Sequence, residues 1–184
     1  MTSPRATPLA DRLTLHGVFV EVYGLGVLLA GPSGVGKSEL ALELLTRGHR
    51  LIADDAAEFC RSRRGIIGHC PPLLSGFLEA RSLGILNIRR MFGARRVLSR
   101  HRLDLVIRLE FRQDALKRQT GALERIEGRR TQRDILGTEV PEISIPIRLG
   151  HNLAVLVEAV GRDLKLRQQH YRADEDFVSH QLEA

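Results

Sequence analysis

The chain has 184 residues, 43% hydrophobic and 27% charged, with a net charge of +6. That length supports one domain with a sizeable core, and the balance is that of an ordinary soluble globular protein. The apolar runs, such as Val27 to Ala30, are too short to span a bilayer, the opening MTSPRATPLADR lacks the apolar core of a signal peptide, and 4% aromatics without Trp exclude a stacking platform for single-stranded nucleic acid.

A cytoplasmic protein without membrane or nucleic-acid partners is therefore expected. Of the 28 basic residues only 3 are lysines, so a general preference for Arg accounts for much of the positive charge. One of the three is Lys37, and a flexible ammonium is not equivalent to a guanidinium. Cys60 and Cys70 form no CxxC pair and read as free thiols rather than a metal site or disulfide framework.

In chain order, residues 1–12 are polar and Pro-containing and read as a flexible tail, with 13–184 as a single domain. Leu13 to Val22 reads as a first strand, Tyr23-Gly24 as a turn, and Leu25 to Ala30 as a buried second strand. After a Gly-rich loop, KSELALELLTRG places Leu40, Ala41, Leu44 and Leu45 at helical spacing and stops at Gly48. RLIADD is a short strand ending in two acids. RGIIGHCPP reads as a turn-rich connector, and FLEARSLGILNIRRMFG as a helical end, a loop and a short strand. LDLVIRLEF is a strand. Residues 112–139, charged and punctuated by Gly, read as an exposed, mobile segment. EISIPIRLG is a strand into a turn, HNLAVLVEAVGRDLKLRQQ a helix, and DEDFVSHQLEA a second short helix. The alternation of strands and helices specifies an α/β domain.

Gly31-Pro32-Ser33-Gly34-Val35-Gly36-Lys37-Ser38 fits G-x-x-x-x-G-K-[ST] in full. Glycines let backbone N–H groups curve around a phosphate. The helix that follows aims its positive end at the same anion. Lys37 is the candidate for the outer phosphates and the Ser38 hydroxyl for Mg²⁺. Such a loop also needs an acid for the metal. Asp54 and Asp55 supply two, on the strand that follows the helix. In an extended segment, adjacent side chains point to opposite faces, so one suits metal binding and the other proton transfer.

The stretch LHGVFVEVYGLGVLLAGPSGVGKSELALELLTRGHRLIADD closely resembles the catalytic domain of the bacterial HPr kinase/phosphorylase family. LEARSLGILNI is similar to the family signature L-E-I-R-G-L-G-I-I-N-V, and IPIRLGHNLAVLVEAV to I-P-V-R-P-G-R-N-L-A-V. The resemblance covers roughly residues 14–180. It implies a P-loop kinase domain, a central, mostly β sheet flanked by helices. The implied activity is transfer of phosphate from ATP or pyrophosphate, with Mg²⁺, to a serine of HPr, the phosphocarrier of the sugar phosphotransferase system. The reverse, phosphorolysis of phosphoserine, releases pyrophosphate. A homo-oligomer, commonly a hexamer, is implied as well.

Position by position, the family's catalytic histidine falls on His16. Lys37 takes the phosphate role. The acid that accepts the serine proton, and returns it in the reverse reaction, falls on Asp55. Metal-associated oxygens fall on Ser38, Asp54 and Glu79, and the catalytic arginine on Arg125. The dephosphorylation loop falls on Pro146, Ile147, Arg148, Leu149, Gly150 and His151.

The chain departs from the family pattern in four places. The usual N-terminal domain has no counterpart before residue 14, so a form reduced to the kinase domain is expected. Ala80 and Ser82 stand for Ile and Gly of the signature. Leu149 and His151 stand for Pro and Arg in the dephosphorylation loop. Arg95 and Arg96 enter a run of small residues near the expected acceptor site. These changes leave a second acceptor class open: a free hydroxy amino acid or a different protein.

Overall fold

The computed structural model describes residues 12–111, 129–148 and 150–182. The expected tail, apart from Arg12, and the stretch 112–128 of the expected exposed segment lie outside the described residues.

The strands are β1 (Arg12–His16), β2 (Val18–Val22), β3 (Leu25–Ala30), β4 (Arg50–Ala53), β5 (Ala56–Ser62), β6 (Gly65–His69), β7 (Phe77–Ala80), β8 (Gly84–Asn87), β9 (Arg100–Arg102), β10 (Leu105–Glu110), β11 (Arg130–Ile135) and β12 (Thr138–Pro146). The helices are α1 (Lys37–Thr46), α2 (Ile88–Phe92), α3 (Leu153–Gln168) and α4 (Ala173–Leu182). A six-stranded sheet has the order β11-β12-β10-β3-β2-β4, a four-stranded sheet the order β1-β5-β6-β9, and β7-β8 form a separate hairpin. In the large sheet β3, β10 and β12 run parallel, while β2, β4 and β11 are antiparallel to their neighbours.

Both faces of the large sheet are buried, and the period-2 alternation of its strands sorts side chains between two cores. Val18, Val20, Val27, Leu29, Leu105 and Ile107 pack with Leu40 and Leu44 of α1 and Ala154 and Val157 of α3. Phe19, Leu28 and Val106 point the other way and meet Ala57, Phe59 and Ile66 of the four-stranded sheet. The helices therefore cover one face, and a second sheet covers the other. Phe19 and Phe59 meet edge-to-face at 5.2 Å across that inter-sheet core.

The expected strand over 13–22 is two strands in two sheets. The break is at Gly17, where φ is +151° and a Cβ would lie 2.4 Å from the carbonyl oxygen of Leu29. Val18 pairs with Leu29 in the large sheet, whereas His16 pairs with Ala56 in the small one. Only a residue without a side chain lets the chain pass this close to β3 while changing sheets.

Two further strands replace other expectations. The turn-rich connector at 64–72 contains β6, which pairs with β5 and β9. Its Gly68 lets the backbone lie flat against two rings, since a Cβ there would come within 2.5–2.6 Å of Phe59 and Phe19. Within the segment expected to be exposed and mobile, β11 is an edge strand paired along its length with β12. Its polar sequence RTQRDI fits an edge, where one side meets solvent. The later helices lie near their expected ranges. Asn152 caps α3 by accepting a hydrogen bond from the Val155 amide at 3.1 Å. Among the described residues no helix is long and apolar enough to cross a membrane.

Gly17→Ala is expected to destabilise the protein by about 3 kcal/mol, through a backbone collision and an unfavourable φ. In thermal unfolding this corresponds to a Tm lower by roughly 6–12 °C for a chain of this size. An unchanged Tm would show that the sheet switch does not depend on Gly17.

Candidate active site

The Gly-rich loop joins β3 to α1. Gly31, Gly34 and Gly36 have φ of +139°, +80° and +92°. A Cβ on Gly31 would lie 2.5 Å from the Leu109 carbonyl oxygen of the neighbouring β10. Gly36 is the N-cap of α1 in the left-handed conformation, with no side chain capping the first-turn amides. Those N–H groups, together with the helix dipole, favour an anion at this end. Lys37 donates from Nζ to the carbonyls of Gly31 and Pro32, both at 3.0 Å.

A cavity of about 350 Å³ opens over this loop. Its walls include Gly17, Ser33, Gly34, Gly36, Lys37, Ser38, Glu39, Asp54, Asp55, Glu79, Arg81 and Ser82. Residues distant in sequence thus converge: the loop and α1 from one segment, the acid pair from the end of β4, and Glu79 from β7.

The acid pair is not extended as expected. Asp55 has φ of +58°, and the Ala56 amide bonds back to the Asp54 carbonyl at 2.7 Å. This is a tight three-residue turn with a non-Gly residue in a strained conformation. It connects β4 of one sheet to β5 of the other, and it turns both carboxylates toward one cavity. Asp54 is the half-buried member, and its Oδ2 accepts the backbone N–H of Glu79 at 2.7 Å. Burial pushes the Asp54 carboxyl above the ordinary aspartate range; the Glu79 amide pulls it back, and the neighbouring Asp55 and Glu79 charges push it further up.

Asp55 is largely exposed at 82%, as is His16 at 85%, and their side chains approach to 3.7 Å. The sheet switch at Gly17 creates this neighbourhood, because His16 pairs with Ala56, the residue after Asp55. His16 itself borders a second cavity of about 560 Å³ on the other side, with Gly31, Pro32, Arg108, Glu110 and Arg133. The His16–Asp55 pair therefore stands between the phosphate-loop cavity and an adjoining one.

Ser38, Asp54, Asp55 and Glu79 offer hard oxygen donors within one cavity, which suits Mg²⁺. Among the described residues no cluster of three or more His, Cys, Asp or Glu side chains is tight enough to hold a metal by itself. A hydroxyl and a carboxylate, completed by substrate phosphates and water, are a sufficient protein contribution for this ion.

Other expected site residues lie elsewhere. Arg125 and Leu149 are outside the described residues. Pro146 ends β12, the Ile147 amide bonds the Glu110 carbonyl at 2.8 Å, and the His151 amide bonds the Arg148 carbonyl at 3.2 Å. None of the described residues of this loop lines the phosphate-loop cavity. Arg95 and Arg96 do not border it either. Arg96 instead donates to the Gly48 carbonyl just beyond α1. Arg81 also lines the cavity and has no role among the expectations; its Nη2 donates to the Ser33 hydroxyl at 2.6 Å. The sequence holds it in plain view within LEARSLGILNI, but nothing local connects it to a loop 48 residues earlier.

The family model for the HPr serine kinase C-terminal domain matches residues 7–181. The chain belongs to this family. It is 44% identical over 174 residues to the HPr kinase/phosphorylase of Azoarcus sp. (strain BH72), a match covering 94% of this chain and 54% of that protein. To the HPr kinase/phosphorylase of Bordetella petrii it is 51% identical over 162 residues, covering 86% of this chain and 51% of that one. The chain thus spans about half the length of the curated relatives it matches. The solved HPr(Ser) kinase/phosphatase of Coxiella burnetii superposes with a TM-score of 0.80 at 31% identity, covering 90% of this chain and 98% of that chain. The HPr kinase C-terminal domain described here accordingly has the P-loop kinase fold, a central sheet with flanking helices.

The raised Asp54 pKa has a consequence for stability. A carboxyl whose folded pKa exceeds its unfolded value contributes stability below the unfolded value, and that contribution is lost as pH rises through the folded one. Asp54→Asn removes this loss and keeps an oxygen for the Glu79 amide. The variant is expected to melt above the parent at neutral pH, with the difference closing as pH falls toward the ordinary aspartate range. A variant that melts below the parent at neutral pH would show that the Asp54 charge is stabilising as it stands.

Proposed function

We propose that this domain is an ATP-dependent, Mg²⁺-requiring serine kinase of HPr that also catalyses phosphorolysis of the product. The observation that carries this reading is a single cavity that joins the phosphate loop, Lys37 and Ser38 to the carboxylates Asp54, Asp55 and Glu79. The kinship with proteins named HPr kinase/phosphorylase supports the choice of acceptor. A donor of this class, ATP with pyrophosphate as the alternative, fits a reaction in the cytoplasm.

In this mechanism the loop amides and the α1 N-terminus bind the donor phosphates, and Lys37 exchanges its carbonyl partners for phosphate oxygens. Ser38, Asp54 and Glu79 would hold Mg²⁺, which would supply charge neutralisation for the phosphates. Asp55, exposed on its strained turn, accepts the proton of the incoming serine hydroxyl as the Ser–O–P bond forms and the bond to the leaving diphosphate breaks. His16, at 3.7 Å, orients or tunes Asp55. In phosphorolysis, an oxygen of inorganic phosphate attacks the phosphoserine phosphorus, the Ser–O–P bond breaks as the P–O–P bond of pyrophosphate forms, and Asp55 returns its proton to the departing serine oxygen. Arg125 stabilises the transferring phosphoryl group, and residues 146–151 serve the reverse reaction.

Intact-mass analysis of HPr after incubation with Mg²⁺ and ATP tests this directly. One phosphoryl group gained on serine, then lost with release of pyrophosphate on adding phosphate, is the expected result. Lys37→Ala and Asp55→Asn are each expected to lower transfer by at least 10²–10⁴-fold, with Asp55→Asn still binding nucleotide. A chain that binds ATP yet leaves HPr unmodified would redirect the assignment to another acceptor, such as a free hydroxy amino acid or a different protein.

We further assign a homo-oligomer, with a hexamer as its form. Large apolar side chains stand exposed on the β7–β8 hairpin and α4, including Leu83 at 65%, Ile85 at 74% and Leu182 at 83%, as expected of surfaces that associate. Sedimentation velocity at working concentration is expected to show an assembly of six copies; a monomer alone would refute it.

A further inference from the structure

Glu79 and Arg81 are two residues apart at the end of β7. The alternation of the strand buries Leu78 and Ala80 in the core shared with α1 and leaves Glu79 and Arg81 exposed at the cavity. The hairpin then turns sharply, the Leu83 amide bonding the Ala80 carbonyl at 2.8 Å. It is thus anchored at the site twice. The Glu79 backbone N–H is fixed to Asp54, and the Arg81 guanidinium to Ser33.

The guanidinium lies against the phosphate loop itself. Nη2 is 2.6 Å from the Ser33 hydroxyl. Nη1 is 2.9 Å from where a Cβ of Gly34 would stand, and Gly34 has φ of +80°. The loop is bare there, and the guanidinium faces its backbone. Lys37 meanwhile bonds the carbonyls of Gly31 and Pro32. The two cations bracket the loop, one over 31–32 and the other over 33–34.

Their charge is needed. The cavity walls carry four carboxylates, Glu39, Asp54, Asp55 and Glu79, against two cations, Lys37 and Arg81. A polyphosphate brings further negative charge into this surplus. Among the described residues Arg81 has no carboxylate within ion-pair distance, and its bonded partner is the neutral Ser33 hydroxyl. A guanidinium carries five N–H donors in a planar fork suited to bidentate phosphate binding. One donor on Ser33 orients the fork and leaves the others for a ligand.

We infer that Arg81 is a second phosphate-binding residue, contacting the donor polyphosphate directly and, in the reverse direction, pyrophosphate. The inference rests on the reading of this cavity as a polyphosphate site. It assigns the β7–β8 hairpin a part in binding the anion, beyond presenting Glu79 to the metal.

Calorimetric titration of the whole chain with Mg²⁺-pyrophosphate tests it, using the parent, Arg81→Ala, Arg81→Lys and Ser33→Ala, each checked for an unaltered circular dichroism spectrum. Losing a charge-assisted contact is expected to weaken pyrophosphate binding about 10- to 100-fold in Arg81→Ala. Arg81→Lys, which keeps the charge but not the fork, is expected to fall between it and the parent. Ser33→Ala removes the tether and keeps the cation, so its loss is expected to be only about 2- to 3-fold. Equal affinity in the parent and Arg81→Ala would overturn the inference while leaving the polyphosphate site standing. Equal losses in Ser33→Ala and Arg81→Ala would overturn it too, by showing that the guanidinium only braces the loop. A parent that binds neither pyrophosphate nor ATP would instead remove the polyphosphate reading itself.

Discussion

The arrangement of the site depends on one close approach of backbone to backbone. At Gly17 the chain passes so near the Leu29 carbonyl that a Cβ would sit 2.4 Å from it. There the chain leaves the small sheet, where β1 sets His16 beside Ala56, and enters the large one as β2. Another crossing between the sheets is the turn at Asp54-Asp55, where β4 hands over to β5. The two crossings are neighbours, so the acid pair, His16 and the phosphate loop share one edge of the inter-sheet core. Phe19, Phe59 and Ile66 fill that core from both sheets and hold the crossings together. Burial on this scale is the main favourable contribution to folding, and here it also sets the positions of groups that are themselves exposed.

Electrostatics at the site is unbalanced in a useful direction. Four carboxylates and two cations face the same cavity, which favours a divalent metal as firmly as it disfavours a bare polyphosphate. Burial raises the Asp54 pKa, the Glu79 amide relieves it in part, and the neighbouring carboxylates add to it. Asp55 stands in solvent on a strained turn. Two neighbouring carboxylates thereby acquire different environments, the condition for dividing metal binding from proton transfer. The proposed roles of Asp54 and Asp55 follow that division.

Much of the architecture was legible because it is written locally. The phosphate loop, the period of α1, the buried run of β3 and the strand LDLVIRLEF each show in a window of a dozen residues. What escaped was written across the chain. β6 looks like a connector because its glycines are there for Phe19 and Phe59, which come from other strands. β11 looks like loop because an edge strand with polar side chains has no alternation to display. A single strand over 13–22 is the natural reading of LTLHGVFVEV, since nothing in that run reveals the Leu29 carbonyl that forces the break. Arg96 is a further case: its guanidinium donates to the Gly48 carbonyl beyond α1, a partner 48 residues earlier in the chain.

By itself, the sequence determined the chemistry on offer: a phosphate-binding loop, a lysine among arginines, paired acids on the following strand, and motifs shared with one kinase family. These depend on residue types at fixed short spacings, which local backbone geometry turns directly into a loop, a helix start and a strand end. Tertiary structure alone decided which of these groups meet. It bent the acid pair so that both carboxylates face one cavity, brought His16 beside Asp55 by a change of sheet, kept the described residues of 146–151 out of that cavity, and laid Arg81 over a loop 48 residues away. Those encounters are products of strand pairing and core packing between distant segments, and no local window of sequence contains them.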